Sequence, residues 1–169
     1  MTSLDEYKSA FPEPLRQASL CILLKEGKIL LALKKRRFGM GKWNGIGGKR
    51  KEDETIEQSA IRESQEETGI IITSMRKVAT MNFYFPQDSA NKDWNQQVIV
   101  FVVDKWDGEP AESEEMLPKW FNLSEIPYDE MWDDDKHWLP KVLEGKVIEA
   151  DFLFGGDQKI QEFRIKEVT

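Results

Sequence analysis

One stretch limits the fold more than any other. Val98-Ile99-Val100-Phe101-Val102-Val103 is apolar at every position and rich in β-branched residues. β-Branched side chains suit strands, and a strand that is apolar throughout, not at alternate positions, must be covered on both faces. It is therefore expected at the centre of a sheet. Residues 19–24 and 28–33, separated by Glu26-Gly27, read as a β-hairpin. Residues 70–77 and 79–85 read as two more strands, and 120–123 as a short one. Residues 147–154 and 160–167 flank Gly155-Gly156-Asp157 as a closing hairpin. A helix is predicted over 55–68, because Thr55 and Gln58 fit a capping box and Gly69 supplies a C-terminal stop. A second helix runs from about residue 132 to 144. The sum is an α+β chain, a mixed β-sheet flanked by two helices in an α/β/α sandwich.

The 169 residues suffice for one domain. Residues 1–14 carry little apolar surface and are expected to be a flexible arm, with the single domain over 15–169. Lys and Arg number 24 against 31 Asp and Glu, a net charge of -7. That balance argues against duplex nucleic acid or a membrane surface as partner, since both select a cationic face. It leaves room for an anionic substrate carried with a divalent cation. No apolar run approaches a membrane span, and the first residues lack the pattern of a signal peptide, so a cytoplasmic location is expected. The lone cysteine, Cys21, lies in an apolar run and reads as a buried thiol, with a reactive thiol as the alternative. With His137 the only histidine, carboxylates are the obvious metal ligands.

Glu63, Glu66 and Glu67 are spaced i, i+3, i+4, so they share one helical face. They repel one another, and the macrodipole disfavours anions in a last turn. Such a face is strained unless a cation binds, although a solvated acidic face is the plainer alternative. Ile56, Ala60 and Ser64 fall on another stripe, suited to the sheet. The acids are therefore expected to point away from the core, towards the loop at 38–48 with its five glycines.

The spacing around this helix is specific. From Gly48, five residues lead to Glu54, and seven more lead to Arg62-Glu63-Ser64-Gln65-Glu66-Glu67-Thr68-Gly69-Ile70. This resembles the Nudix box, G-x5-E-x7-R-E-U-x-E-E-x-G-U with U apolar, at every fixed residue. Ser64 departs from it at an apolar position, where a missing aliphatic side chain costs on the order of 1–3 kcal/mol. The resemblance implies a Nudix fold and hydrolysis of a nucleoside diphosphate linkage. It implies Mg2+ as cofactor, with Mn2+ as a substitute. Glu63 and Glu67 would be the main ligands, with Glu66 close by, the Gly47 carbonyl completing the set and Glu115 contributing a further carboxylate. The catalytic group carried over is Glu67, Glu63, Glu66 and Arg62, with Arg62 orienting a carboxylate such as Glu54. Mg2+ favours such hard oxygen donors, offsets phosphate charge and acidifies bound water.

Residues outside the box resemble the branch that hydrolyses oxidised purine nucleoside triphosphates. They include Lys34-Lys35-Arg36-Arg37-Phe38-Gly39, Gly41-Lys42-Trp43-Asn44-Gly45-Ile46-Gly47-Gly48-Lys49, Glu112-Ser113-Glu114-Glu115-Met116 and Met131-Trp132-Asp133-Asp134-Asp135. The likeness runs over 15–168. By that resemblance Asn44, Asp134 and Asp135 read the base, Trp132 stacks on it, and Lys34, Phe38 and Phe83 also bind substrate. Two adjacent carboxyls in a dry pocket repel, so one holds a proton at neutral pH and donates while its neighbour accepts. In the family this is the suggested basis of activity on both 8-oxo-dGTP and 2-hydroxy-dATP. A helix cap remains the alternative for the aspartates, a solvated strand-end lysine for Lys34, surface charge for Glu115, and core packing for Phe83 or Phe85. Trp43 is expected to pack the loop. Two departures touch the pocket: a longer connection at 86–95, and Gln96-Gln97 where the family has an apolar–acidic pair. The expected protein is a monomeric hydrolase that takes a nucleotide as its partner. A dinucleoside polyphosphate hydrolase and a non-catalytic nucleotide-binding module are the alternatives.

Overall fold

The computed structural model describes residues 3–11, 14–36, 39–86 and 94–168. The strands are β1 (Arg16–Lys25), β2 (Lys28–Lys34), β3 (Trp43–Asn44), β4 (Ile71–Tyr84), β5 (Gln96–Asp107), β6 (Met116–Asn122), β7 (Val147–Phe154) and β8 (Ile160–Val168). The helices are α1 (Leu4–Ala10), α2 (Ile56–Thr68) and α3 (Asp135–Leu143). The sheet runs β3-β2-β1-β5-β4-β7-β8, with β6 paired to β2. It is mixed: β1 is parallel to β5 and β4 to β7, and the other pairs are antiparallel.

β5 lies between β1 and β4, and its apolar run is buried on both faces. Val98, Val100 and Val102 face the layer that includes Trp138, Leu139 and Val142 of α3. Ile99, Phe101 and Val103 face the layer that includes Ala60 of α2. The hairpin between β1 and β2 turns at Glu26 and Gly27, whose positive φ angles of 52° and 75° match the twist of two-residue hairpins. Residues 70–77 and 79–85, read as two strands from sequence, form the single long strand β4. Its pairing shifts between Lys77 and Ala79, so the apparent break is a bulge around the buried Val78. β6 is longer than the expected 120–123, and α3 begins three residues later than expected.

β1 and β2 stay paired only at Leu24↔Ile29 and Lys25↔Lys28, beside their turn. Beyond that they part. Loop 45–50 enters the split, with Ser19 N donating to Gly48 O at 2.9 Å, Ile46 N to Cys21 O at 3.1 Å and Arg50 N to Gln17 O at 2.9 Å. A Cβ on Gly47 would stand 1.8 Å from the Ser19 carbonyl oxygen, so only glycine permits this approach. Cys21 is fully buried, as expected, and burial pushes its thiol up to about 12.

The sequence reading foresaw no helix in the N-terminal segment. Within the part described it carries α1, capped by Ser3 Oγ accepting from Glu6 N. Leu4 is fully buried against Tyr84 and Leu153. Leu4 N donates to Glu162 Oε1 at 2.9 Å, and Lys8 Nζ to Asp151 Oδ2 at 2.9 Å. Leu4→Ala should cost about 2 kcal/mol, near the lower end for buried leucines because the cluster is small. Urea unfolding checks this; an unchanged midpoint would mean that α1 adds nothing to stability.

Candidate active site

Helix α2 starts with both halves of the capping box, Gln58 N to Thr55 Oγ1 and Thr55 N to Gln58 Oε1, and ends at Gly69 with φ 82°. Ser59, Ala60, Ser64 and Thr68 are buried against the sheet. The small Ser64 lies against the small Cys21, so the departure at 64 is matched by its neighbour. Glu63 meets the glycine loop, as expected, but the acids are not all exposed. Glu67 is only 6% exposed, Glu63 is partly covered, and Glu66 is exposed.

The reason is the split sheet. Its glycine loop passes over the helix so closely that a Cβ on Gly48 would lie 2.6 Å from the Glu63 carboxyl carbon. Burial pushes the Glu67 carboxyl up to about 9, helped by the charge of Glu63 and a hydrogen bond shared with it, while Lys34 draws it down. Glu67 Oε2 is buried without a hydrogen-bond partner. Arg62 forks onto Glu54, Nε to Oε2 at 3.0 Å and Nη2 to Oε1 at 2.7 Å, which holds the Glu54 carboxyl down at about 2. Its Nη1 reaches Glu63 Oε1 at 2.9 Å and Glu66 Oε2 at 3.1 Å. Arg62 thus orients three carboxylates from outside the cavity.

That cavity, about 730 Å3, is lined at one end by Gly47, Gly48, Lys34, Glu63, Glu67 and Glu115. Arg36 Nη2 holds Glu115 Oε1 at 3.1 Å. At the other end stand Asn44, Trp132, Asp134, Asp135, Phe83 and Phe85. Asn44 sits on β3, opposite Ala32, and its Oδ1 accepts from Gly45 N at 2.9 Å. Its amide nitrogen is then the group left to donate into the cavity.

Asp134 occupies the N-cap position of α3 but makes no side-chain capping bond. Its Oδ2 instead accepts the Trp138 indole N–H at 2.8 Å. Asp134 and Asp135 are 5% and 3% exposed. Burial raises Asp134 to about 7, opposed by the Trp138 hydrogen bond, and burial with the Asp134 charge raises Asp135 well above the ordinary range. Asp135 Oδ2 is buried without a partner. Trp132 meets Phe85 and Phe154 edge-on, at 6.1 and 5.9 Å between centroids. Lys42 Nζ lies 5.2 Å from its ring centroid.

A NUDIX domain model matches residues 14–142. The chain belongs to the Nudix family of hydrolases. The zebrafish (Danio rerio) oxidized purine nucleoside triphosphate hydrolase is 42% identical over 150 residues, covering 89% of this chain and 94% of that protein. The mouse (Mus musculus) protein of the same name is 40% identical over 153 residues, covering 90% and 96%. Among solved structures, a MutT protein from Bacillus halodurans superposes with a TM-score of 0.78 at 25% identity, covering 90% of this chain and 98% of its own.

Nearly all the residues singled out by the Nudix resemblance meet in one cavity. Glu66 and Arg62 stand beside it, not in its lining, and Phe38 lies outside the described residues. Phe83 and Phe85 line the cavity and also pack the core, Phe83 on Phe152 and Phe85 on Phe154 at 4.7 Å. Trp43 packs edge-on against Phe121, as expected for a loop anchor. Gln96 reaches the cavity wall. Among the lining residues given no role from sequence are Trp94, Lys42, Lys49 and Trp138. Only Trp138 left a readable signal, since i+4 from Asp134 on a helix places the two side chains together.

Proposed function

We propose that this Nudix hydrolase converts oxidised purine nucleoside triphosphates, 8-oxo-dGTP and 2-hydroxy-dATP among them, to the monophosphate and pyrophosphate. One observation carries the reading. A single cavity joins a glutamate-lined end to an end with two buried aspartates, whose carboxyls burial raises, an asparagine amide and an indole. The names of the zebrafish and mouse relatives support the substrate class.

The glutamate end fits a hard divalent cation, for which we propose Mg2+, with Mn2+ as a substitute. Among the described residues no three acidic, histidine or cysteine side chains enclose an ion by themselves. Mg2+ needs no such cage, because it is commonly held by one or two carboxylates plus water and substrate phosphates. Glu63 and Glu67 would hold it, with the Gly47 carbonyl and Glu115 at the rim. The orphaned Glu67 Oε2 and the Glu67 carboxyl raised by burial and by the Glu63 charge are what crowded carboxylates show before a cation relieves their repulsion. When bound, the ion offsets phosphate charge and activates water. Lys34 and Lys49, also in the lining, add positive charge facing the phosphates. At the far end, a protonated aspartate donates to a base carbonyl while its ionised neighbour accepts from base N–H groups. Among the described residues no helix is long and apolar enough to cross a membrane. Action as a monomer on the cytoplasmic nucleotide pool completes the proposal.

The test is product identity. With Mg2+, 8-oxo-dGTP should yield monophosphate and pyrophosphate in equal amounts, and chelator should abolish both. Release of single phosphate, or turnover that survives chelator, would refute it.

A further inference from the structure

The sequence set residues 1–14 aside as an arm and 86–95 as a polar connection, yet the structure ties one to the other. Asn95, 4% exposed, sits between the end of β4 and the start of β5. Its Oδ1 accepts the Phe85 backbone N–H at 2.7 Å. Its Nδ2 donates to the Tyr7 hydroxyl of α1 at 3.0 Å. Tyr7 is itself fixed, edge-on to Tyr84 at 5.8 Å and stacked near Phe11 at 6.1 Å. Tyr84 and Leu153 alternate with the cavity-side Phe83, Phe85, Phe152 and Phe154, so α1 packs on the sheet face opposite the cavity.

Asn95 therefore links the two faces around the end of the sheet. On the cavity side, the Phe85 ring meets Trp132 at 6.1 Å and Trp94 at 5.6 Å, both edge-on, and all three rings line the base end. Moving the Phe85 backbone would move the ring that orients both indoles. We infer that Tyr7 is a positioning residue for base recognition, acting through Asn95 on Phe85 and Trp94. The inference rests on the base-end reading above and adds to it a support from outside the site.

The hydrogen bond is one partly buried polar contact, so its loss should weaken base-end binding without touching the glutamates. The experiment uses the full chain in four forms: wild type, Tyr7→Phe, Asn95→Ala and the double variant. The probe is 8-oxo-dGMP, which presents the base without the terminal phosphates. Its Kd is measured by calorimetry in chelator, beside kcat and KM for 8-oxo-dGTP and the melting temperature. Tyr7→Phe should raise both Kd and KM roughly five- to tenfold, the scale of one hydrogen bond, with kcat within about twofold. In the Asn95→Ala background it should add nothing further, since the route is already cut.

Lys8→Ala separates positioning from simple stability. It breaks the α1 contact to Asp151 without touching Asn95, so its Kd and KM should stay at the wild-type values. Wild-type Kd and KM in Tyr7→Phe would overturn the inference and leave the function standing. So would equal weakening in Lys8→Ala. A wild type that neither binds nor hydrolyses the nucleotide would overturn both.

Discussion

Glu67→Gln is expected to lower turnover by on the order of a thousandfold or more, about 4 kcal/mol of transition-state stabilisation. The amide keeps the shape of the side chain but gives up the charge on which the glutamate end depends. The fold should survive and even gain. Glu67 is buried beside Glu63, so without a cation its carboxyl is held up at about 9. A carboxyl raised on folding favours the native state only where both states are protonated. That advantage is lost as pH climbs from the unfolded value near 4.5 through the folded one. Asp134 and Asp135, also raised by burial, act in the same direction. In chelator, the wild-type melting temperature should therefore fall between pH 6 and pH 9. Glu67→Gln should fall less steeply, because one of the three contributions has gone. Steady-state kinetics and thermal melts check both halves. Turnover within a few-fold of wild type would remove Glu67 from the catalytic group.

Asp134→Asn should act at the other end. Asn can still accept from the Trp138 indole, which now bonds Asp134 Oδ2, so local packing is kept. What it loses is the ability to ionise beside Asp135, leaving a permanent N–H donor. The ratio of activity on 8-oxo-dGTP to that on 2-hydroxy-dATP should change by about ten- to a hundredfold, the effect of one misplaced buried hydrogen bond of roughly 1–3 kcal/mol. The metal requirement should not change. In wild type the ratio should drift with pH through the neutral range, as the aspartate pair gives up its proton. In the variant that drift should flatten. An unchanged ratio would mean that Asp134 serves the fold alone.

The elements that sequence revealed are those built from local chemistry. Thr55 with Gln58 and the αL glycine Gly69 bound α2 within a few residues, and the unbroken run 98–103 marked β5 as central. Burial of Glu67 was not legible. Helical periodicity put it on the polar face, and the groups that surround it include Lys34 and Glu115, brought in from distant parts of the chain. Helix α1 was missed although Ser3 and Glu6 carry its N-terminal signature. Seven residues with few apolar side chains do not make a stable helix alone. Its stability comes from Tyr84, Leu153 and Glu162, all far away in the chain. Asn95 was hidden for the same reason, since its partner Tyr7 is 88 residues away. Val78 looked like a boundary because a bulge interrupts alternation without ending the strand.

The measurement that bears most directly on the whole account is kcat/KM of the wild-type protein with Mg2+ for 8-oxo-dGTP, dGTP and a dinucleoside polyphosphate, side by side. A cavity that reads the altered base edge with buried donors and acceptors should favour 8-oxo-dGTP over dGTP by at least about tenfold, and by more over the dinucleotide. Equal values for 8-oxo-dGTP and dGTP, or a higher value for the dinucleotide, would contradict it.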